Sequence, residues 1–124
     1  WFTVVEESPL VNVAFSTSNG ESFNAPIKIN DNDALGRVDV VFLNKENVLV
    51  SYMETNDLGT YLKAKKVSIN GKISKAITIA KINAGRSTGV PQLEIIENQA
   101  FVVWTISEDG KNQLKSVKFD IETI

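Results

Sequence analysis

At 124 residues, 43% hydrophobic and 23% charged, the chain has the composition of one globular domain. Thirteen basic against fifteen acidic residues leave a net charge of −2, which gives no field strong enough to favour nucleic acid or an anionic membrane surface. Cysteine and histidine are both absent. This excludes disulfides, thiol nucleophiles, thiolate or imidazole metal sites and Ser-His-Asp triads within the chain, and leaves any proton transfer to carboxylates, Tyr or Lys.

Trp1 stands inside an apolar, strand-like run with no signal peptide before it, so the N-terminus reads as cut and the chain as a fragment or a processed product. The first unit, about 1–31, holds strands predicted over 1–6, 10–16 and 25–30 and lacks an opening strand. Its last two strands are joined by Ser16-Thr17-Ser18-Asn19-Gly20-Glu21-Ser22-Phe23. Here Asn19-Gly20 tolerates positive φ, Ser16 and Ser18 are able to bond the loop's own amides, and Phe23 is expected to drop its ring beneath the turn as a plug. Asp31-Asn32-Asp33 follows. It lacks the glycine and distal glutamate of a calcium loop and reads as a polar connection, and neither a metal nor another cofactor is expected.

The second unit, 36–83, reads as four strands, 37–43, 47–54, 61–69 and 73–82, separated by turns at 44–47, 56–59 and Asn70-Gly71. Val38, Val40, Val41, Phe42, Val48, Leu49 and Val50 form near-continuous apolar runs, which predicts inner strands buried on both faces. Alternation in 62–67 predicts an outer, wetter strand, with Lys63, Lys65 and Lys66 as a solvated face. The third unit, 89–124, gives strands 90–97, 100–106 and 113–122 and then stops. No useful 3.6-residue periodicity is present, so essentially no helix is expected, and no apolar run approaches the roughly 20 residues that span a membrane.

The units repeat. Trp1, Tyr52 and Trp104 are spaced by 51 and 52 residues. An offset of 52 places 48–52 on 100–104 and sets Leu62, Lys63 and Lys66 on Leu114, Lys115 and Lys118. A period near 50 residues and four strands lies in the range of propeller blades.

The 16–23 loop resembles the Asp-box, Ser-x-Asp-x-Gly-x-x-Trp, of sialidases and related β-propellers: Ser16, Gly20 and Phe23 fit, and Ser18 stands in place of Asp. Gly36-Arg37-Val38-Asp39-Val40 followed by 48–54 looks like the inner two strands of bacterial sialidase-like propeller proteins. The resemblance implies an all-β fold, a partial β-propeller of about two and a half blades of four-stranded antiparallel sheets from a six-bladed parent, with Ile124 as the end of a larger ring. It makes the box a structural turn. In sialidases three arginines clamp the substrate's carboxylate, so Arg37 and Arg86 are candidate ligand-binding residues, together with Asp39. Asp39 is expected not to pair directly with Arg37 but to line the channel or buttress a turn. Tyr52 and Glu54 share a face, but the repeat marks Tyr52 as a packing aromatic rather than a nucleophile, and no catalytic residue is assigned.

The expected function is that of a non-catalytic part of a propeller whose parent, secreted or periplasmic, binds a glycan or a protein, with further blades or self-association needed to close the ring. The alternative is part of a sialidase-type glycoside hydrolase whose main catalytic residues lie upstream.

Overall fold

The computed structural model describes all residues, 1–124, and is all-β: ten strands in three antiparallel sheets, none closed on itself. The first sheet is β1 (Phe2–Val5), β2 (Ser8–Val13) and β3 (Ile27–Lys28), in that order. The middle sheet is β4 (Asp33–Phe42), β5 (Asn47–Asn56), β6 (Gly59–Ser68) and β7 (Ile77–Ile82). The last is β8 (Gln92–Ile96), β9 (Gln99–Glu108) and β10 (Lys111–Asp120). The only helical pieces are two three-residue 3-10 turns, Arg86–Thr88 and Ile121–Thr123.

Pairing register makes the repeat physical. Two-residue turns at Glu6-Glu7, Asp57-Leu58 and Asp109-Gly110 close the hairpins β1–β2, β5–β6 and β9–β10. Trp1, Tyr52 and Trp104 each stand five residues ahead of their turn, opposite Asn12, Lys63 and Lys115. Because a strand alternates faces, these positions point the same way in their sheets, and Tyr52 and Trp104 are each buried against the sheet before their own, while Trp1 is exposed.

The middle sheet lies between the other two. Val48, Val50, Tyr52 and Val67 pack with Val11 of the first sheet and with Phe15 and Ile29 just beyond its strands. Leu49, Met53, Leu62 and Ala64, on the opposite face, pack with Leu93, Ala100, Val102 and Trp104 of the last. Strand β5 is therefore buried on both faces, as its continuous apolar run requires.

Two expectations are overturned. Strand β6 is not an outer, wet strand: Leu62, Ala64, Lys65 and Val67 are buried and Lys63 is nearly so. Its lysines are inside because each has a partner. Lys63 Nζ meets Glu54 at 2.5 Å, Lys65 Nζ donates to Asp31 Oδ1 at 2.7 Å and to the Ile29 carbonyl at 2.8 Å, and Lys66 Nζ donates to the Ile124 carbonyl oxygen at 2.8 Å. Strand β4, by contrast, is not buried on both faces: Val40 is 54% exposed and Phe42 is also exposed. One edge of β4 has no neighbouring strand, and part of the face toward the first sheet is uncovered.

Strand β4 also begins earlier than its apolar run suggests, at Asp33, and bends at Gly36-Arg37, where the register with β5 shifts and both residues take positive φ. Glycine is required at 36, since a Cβ there would lie 2.9 Å from Phe2 Cγ.

Candidate functional site

The bulge at Gly36-Arg37 decides where the candidate ligand-binding residues point. Simple alternation sets Arg37 and Asp39, two residues apart, on one face. The bulge shifts the register between them, and they reach different partners: Arg37 bonds the loop that follows β7, and Asp39 bonds β8. Arg37 Nη1 donates to the Gly85 carbonyl at 2.9 Å and lies 3.9 Å from Met53 Sδ, and Nη2 reaches the Ala84 carbonyl at 3.5 Å. Asp39 Oδ2 accepts from the Leu93 amide at 2.8 Å, while Oδ1 accepts from the Val40 amide. No ion pair joins Arg37 to Asp39.

Arg86 opens the 3-10 turn directly after Gly85 and is exposed, and its guanidinium makes no hydrogen bond. The loop that carries it is held at three further points. Thr88 Oγ1 donates to the Asn83 carbonyl at 2.7 Å, the Asn83 Oδ1 accepts from the Gly85 amide, and Thr105 Oγ1 is shared between the carbonyls of Ser87 and Thr88. The structure thus brings Arg37 and Arg86 to one loop, with Arg37 spent on carbonyls and Arg86 free. The role of Thr105 as a clamp from β9 had no signal in the sequence.

Asp39 makes the one side-chain hydrogen bond between β4 and β8. Asp39→Ala is expected to cost about 2 kcal/mol, the order of a charged hydrogen bond. It is also expected to speed exchange of the Leu93 amide. Equilibrium unfolding and amide exchange of the variant check both.

The residues that could carry glycosidase chemistry are committed elsewhere. The Glu54 carboxylate is 1% exposed and accepts from Lys63 Nζ and Asn32 Nδ2 on one oxygen and from the amides of Asp31 and Asn32 on the other. Burial pushes its carboxyl up, but these four bonds together outweigh burial and bring it down to about 2. Tyr52 is fully buried, and its hydroxyl has no hydrogen-bond partner. Burial, together with the nearby charges of Glu54 and Asp31, raises its pKa, so the phenol stays neutral. A nucleophilic tyrosine would need the carboxylate as its base; here that carboxylate is an anchor for the 31–32 loop. Tyr61, at 5.9 Å and 6.0 Å from the ammonium groups of Lys63 and Lys81, makes cation–π contacts. No cluster of carboxylates able to hold a metal is present.

Protein-family models, curated proteins and solved structures give no match to this chain.

In the 16–23 turn, Ser16 Oγ accepts from the Gly20 amide at 2.8 Å and Ser18 Oγ from the Ser22 amide at 2.9 Å, with Asn19 and Gly20 at φ 54° and 88°. Ser18 accepts the kind of loop-amide bond that a carboxylate at this position would accept. Phe23 departs from its expected place: it is 63% exposed and plugs nothing. The turn is fastened by Asn24 instead, whose Oδ1 accepts from the Phe15 amide at 2.7 Å and whose amide donates to the Phe15 carbonyl at 2.9 Å. That leaves the Phe23 ring on the wall of a cleft.

This cleft, of about 630 Å³, lies between the first and middle sheets. Trp1, Val13, Phe23, Val38, Val40 and Val50 supply most of its apolar lining, and Asp39 reaches its edge. Nothing in the sequence marked it, because it is built from residues of five separate segments.

Proposed function

We propose that the three sheets are consecutive blades of a sialidase-like β-propeller, the middle one complete, and that the chain is a non-catalytic part of a module that binds a glycan or a protein. The observation that carries this reading is the repeat register: Trp1, Tyr52 and Trp104 share one hairpin position and each stands on a sheet of the same strand order. Antiparallel sheets that repeat about every 50 residues and stack face to face have the organisation of a propeller. The outward faces support it too. Leu62 is fully buried between sheets, whereas its counterpart Leu114 is 73% exposed on the open side of the last sheet, where further blades or another copy would cover it.

The non-catalytic half of the reading is supported by the fate of Asp39, Glu54 and Tyr52, the first two held in structural hydrogen bonds and the third buried. Binding falls to the loop end of β4, where Arg86 presents an unengaged fork suited to a carboxylate or a glycan hydroxyl. We place the parent outside the cytoplasm, as the resemblance implies. The purified chain is expected to release no fluorophore from a sialoside reporter above the enzyme-free blank, while NMR titration with sialyllactose or a glycan mixture shifts the 84–89 amides. Turnover by the chain would overturn the first half, and unmoved 84–89 amides would overturn the assignment of a glycan.

A second reading, part of a sialidase-type hydrolase, is favoured by the same free Arg86. It requires sialoside hydrolysis by a longer polypeptide that contains these residues, and loss of that activity in Arg86→Ala.

A further inference from the structure

The apolar cleft has a counterpart elsewhere in the chain, and the counterpart is filled. In the middle sheet β5 runs the full length of β6: Val50 pairs with Lys65, Val48 with Val67, and Leu49 reaches across to the cluster that contains Leu93. In the first sheet the same alignment makes Ala14 the counterpart of Lys65, but β1 pairs with β2 only as far as Trp1 opposite Asn12. Beyond that point Ala14 has neither its N–H nor its C=O bonded, although it is half-buried and lines the cleft. A main-chain donor and acceptor left open together are a strand's docking point.

The side-chain record agrees. Val40 pairs with Val50 as Leu93 pairs with Val102, so Val40 and Leu93 hold the same position in successive sheets. Leu93, which shares its cluster with Leu49, is 6% exposed; Val40 is 54% exposed. What Val40 lacks is an aliphatic side chain delivered from a strand beside Ala14.

We infer that the cleft is a strand-addition site. It takes an extended peptide antiparallel to β2 and in line with β1, whose backbone pairs with Ala14 and whose alternate side chains are apolar, one of them lying over Val40. Recognition combines main-chain hydrogen bonds with pockets for every second side chain. The inference rests on the repeat register and goes beyond the binding role proposed above. The occupant is a strand of the same polypeptide joined to Trp1, because in the middle sheet the equivalent residues 47–51 lead directly into Tyr52, the counterpart of Trp1.

The middle sheet dictates the probe: Asn-Val-Leu-Val-Ser, a copy of residues 47–51, which occupy the equivalent place. Fused directly ahead of Trp1, it is expected to raise Tm by about 5 °C or more and to slow exchange of the Ala14 amide by at least about tenfold. The fused Asn-Val-Asp-Val-Ser version, and Val40→Asp in the fused chain, are expected to lose both gains; Val40 is exposed, so the second variant keeps its fold. The free acetylated pentapeptide distinguishes the sources. No saturable shift at Ala14 or Val40 beside a stabilised fusion is the result expected for a strand of the same polypeptide, and saturable shifts would overturn that source and give the site to a separate peptide. A fusion with unchanged Tm and an unprotected Ala14 amide, or one no better than its Asp version, would overturn the site. Unchanged protection of β5, β6 and β9 in that fusion would leave the blade reading standing.

Discussion

Glu54→Ala is expected to destabilise the chain by about 3–5 kcal/mol, the cost of leaving a buried charge without its partner. The carboxylate sits at the convergence of Lys63 Nζ at 2.5 Å, Asn32 Nδ2 at 3.1 Å and the amides of Asp31 and Asn32 at 3.0 and 3.2 Å. Removing it strands an ammonium group and three further donors, and it frees the 31–32 segment that leads the chain from the first sheet into β4. Because the folded carboxyl lies at about 2, against an ordinary 4.5, the unfolded chain binds this proton more readily than the folded one. The contribution is therefore complete above about pH 4.5 and is lost as the pH falls toward 2, a swing of about 3 kcal/mol. Urea unfolding at pH 6 and pH 3, on wild type and Glu54→Ala, checks it: the gap between the two proteins is expected to narrow at pH 3. An equal gap at both values would mean that the carboxylate is not held as described.

The second large effect is a contrast between two leucines at one repeat position. Leu62→Ala is expected to cost about 3 kcal/mol, since the residue is fully buried where the middle sheet meets the last and its removal leaves a cavity among Leu49, Met53 and Trp104. Leu114→Ala is expected to change stability by less than about 0.5 kcal/mol, because the same position on the last sheet is 73% exposed. Chemical unfolding of the two variants measures the difference. Equal costs would mean that the last sheet's open face is covered in solution, and a small cost at Leu62 would mean that the sheets do not stack as described.

The strands were legible from the sequence because their signals are local. Two-residue turns and apolar alternation located all ten, and the 51- and 52-residue spacing of Trp1, Tyr52 and Trp104 identified one hairpin position three times over. Boundaries at β4 were less legible, since a bulge at Gly36-Arg37 lengthens the strand without any apolar mark. Burial was misread where it depends on partners from other sheets. Three lysines within 63–66 look solvated until Glu54, Asp31 and the Ile124 carbonyl are placed opposite them. Val40 and Phe42 look like core residues until the face of the first sheet next to them proves incomplete. The candidate site shares this limit. Arg37, Asp39 and Arg86 were chosen as residue types, but which of them is free is set by carbonyls of 84–85 and an amide of β8, groups that every sequence contains.

The stacked order of the three sheets is the centre of this account, and inter-sheet NOEs test it most directly. Contacts are expected from the Tyr52 ring to the Val11 methyls and, separately, from the Trp104 indole to methyls of Leu49 and Leu62, with none between Val11 and Trp104. Direct contacts between Val11 and Trp104, as in a two-sheet sandwich of the first and last sheets, would contradict it.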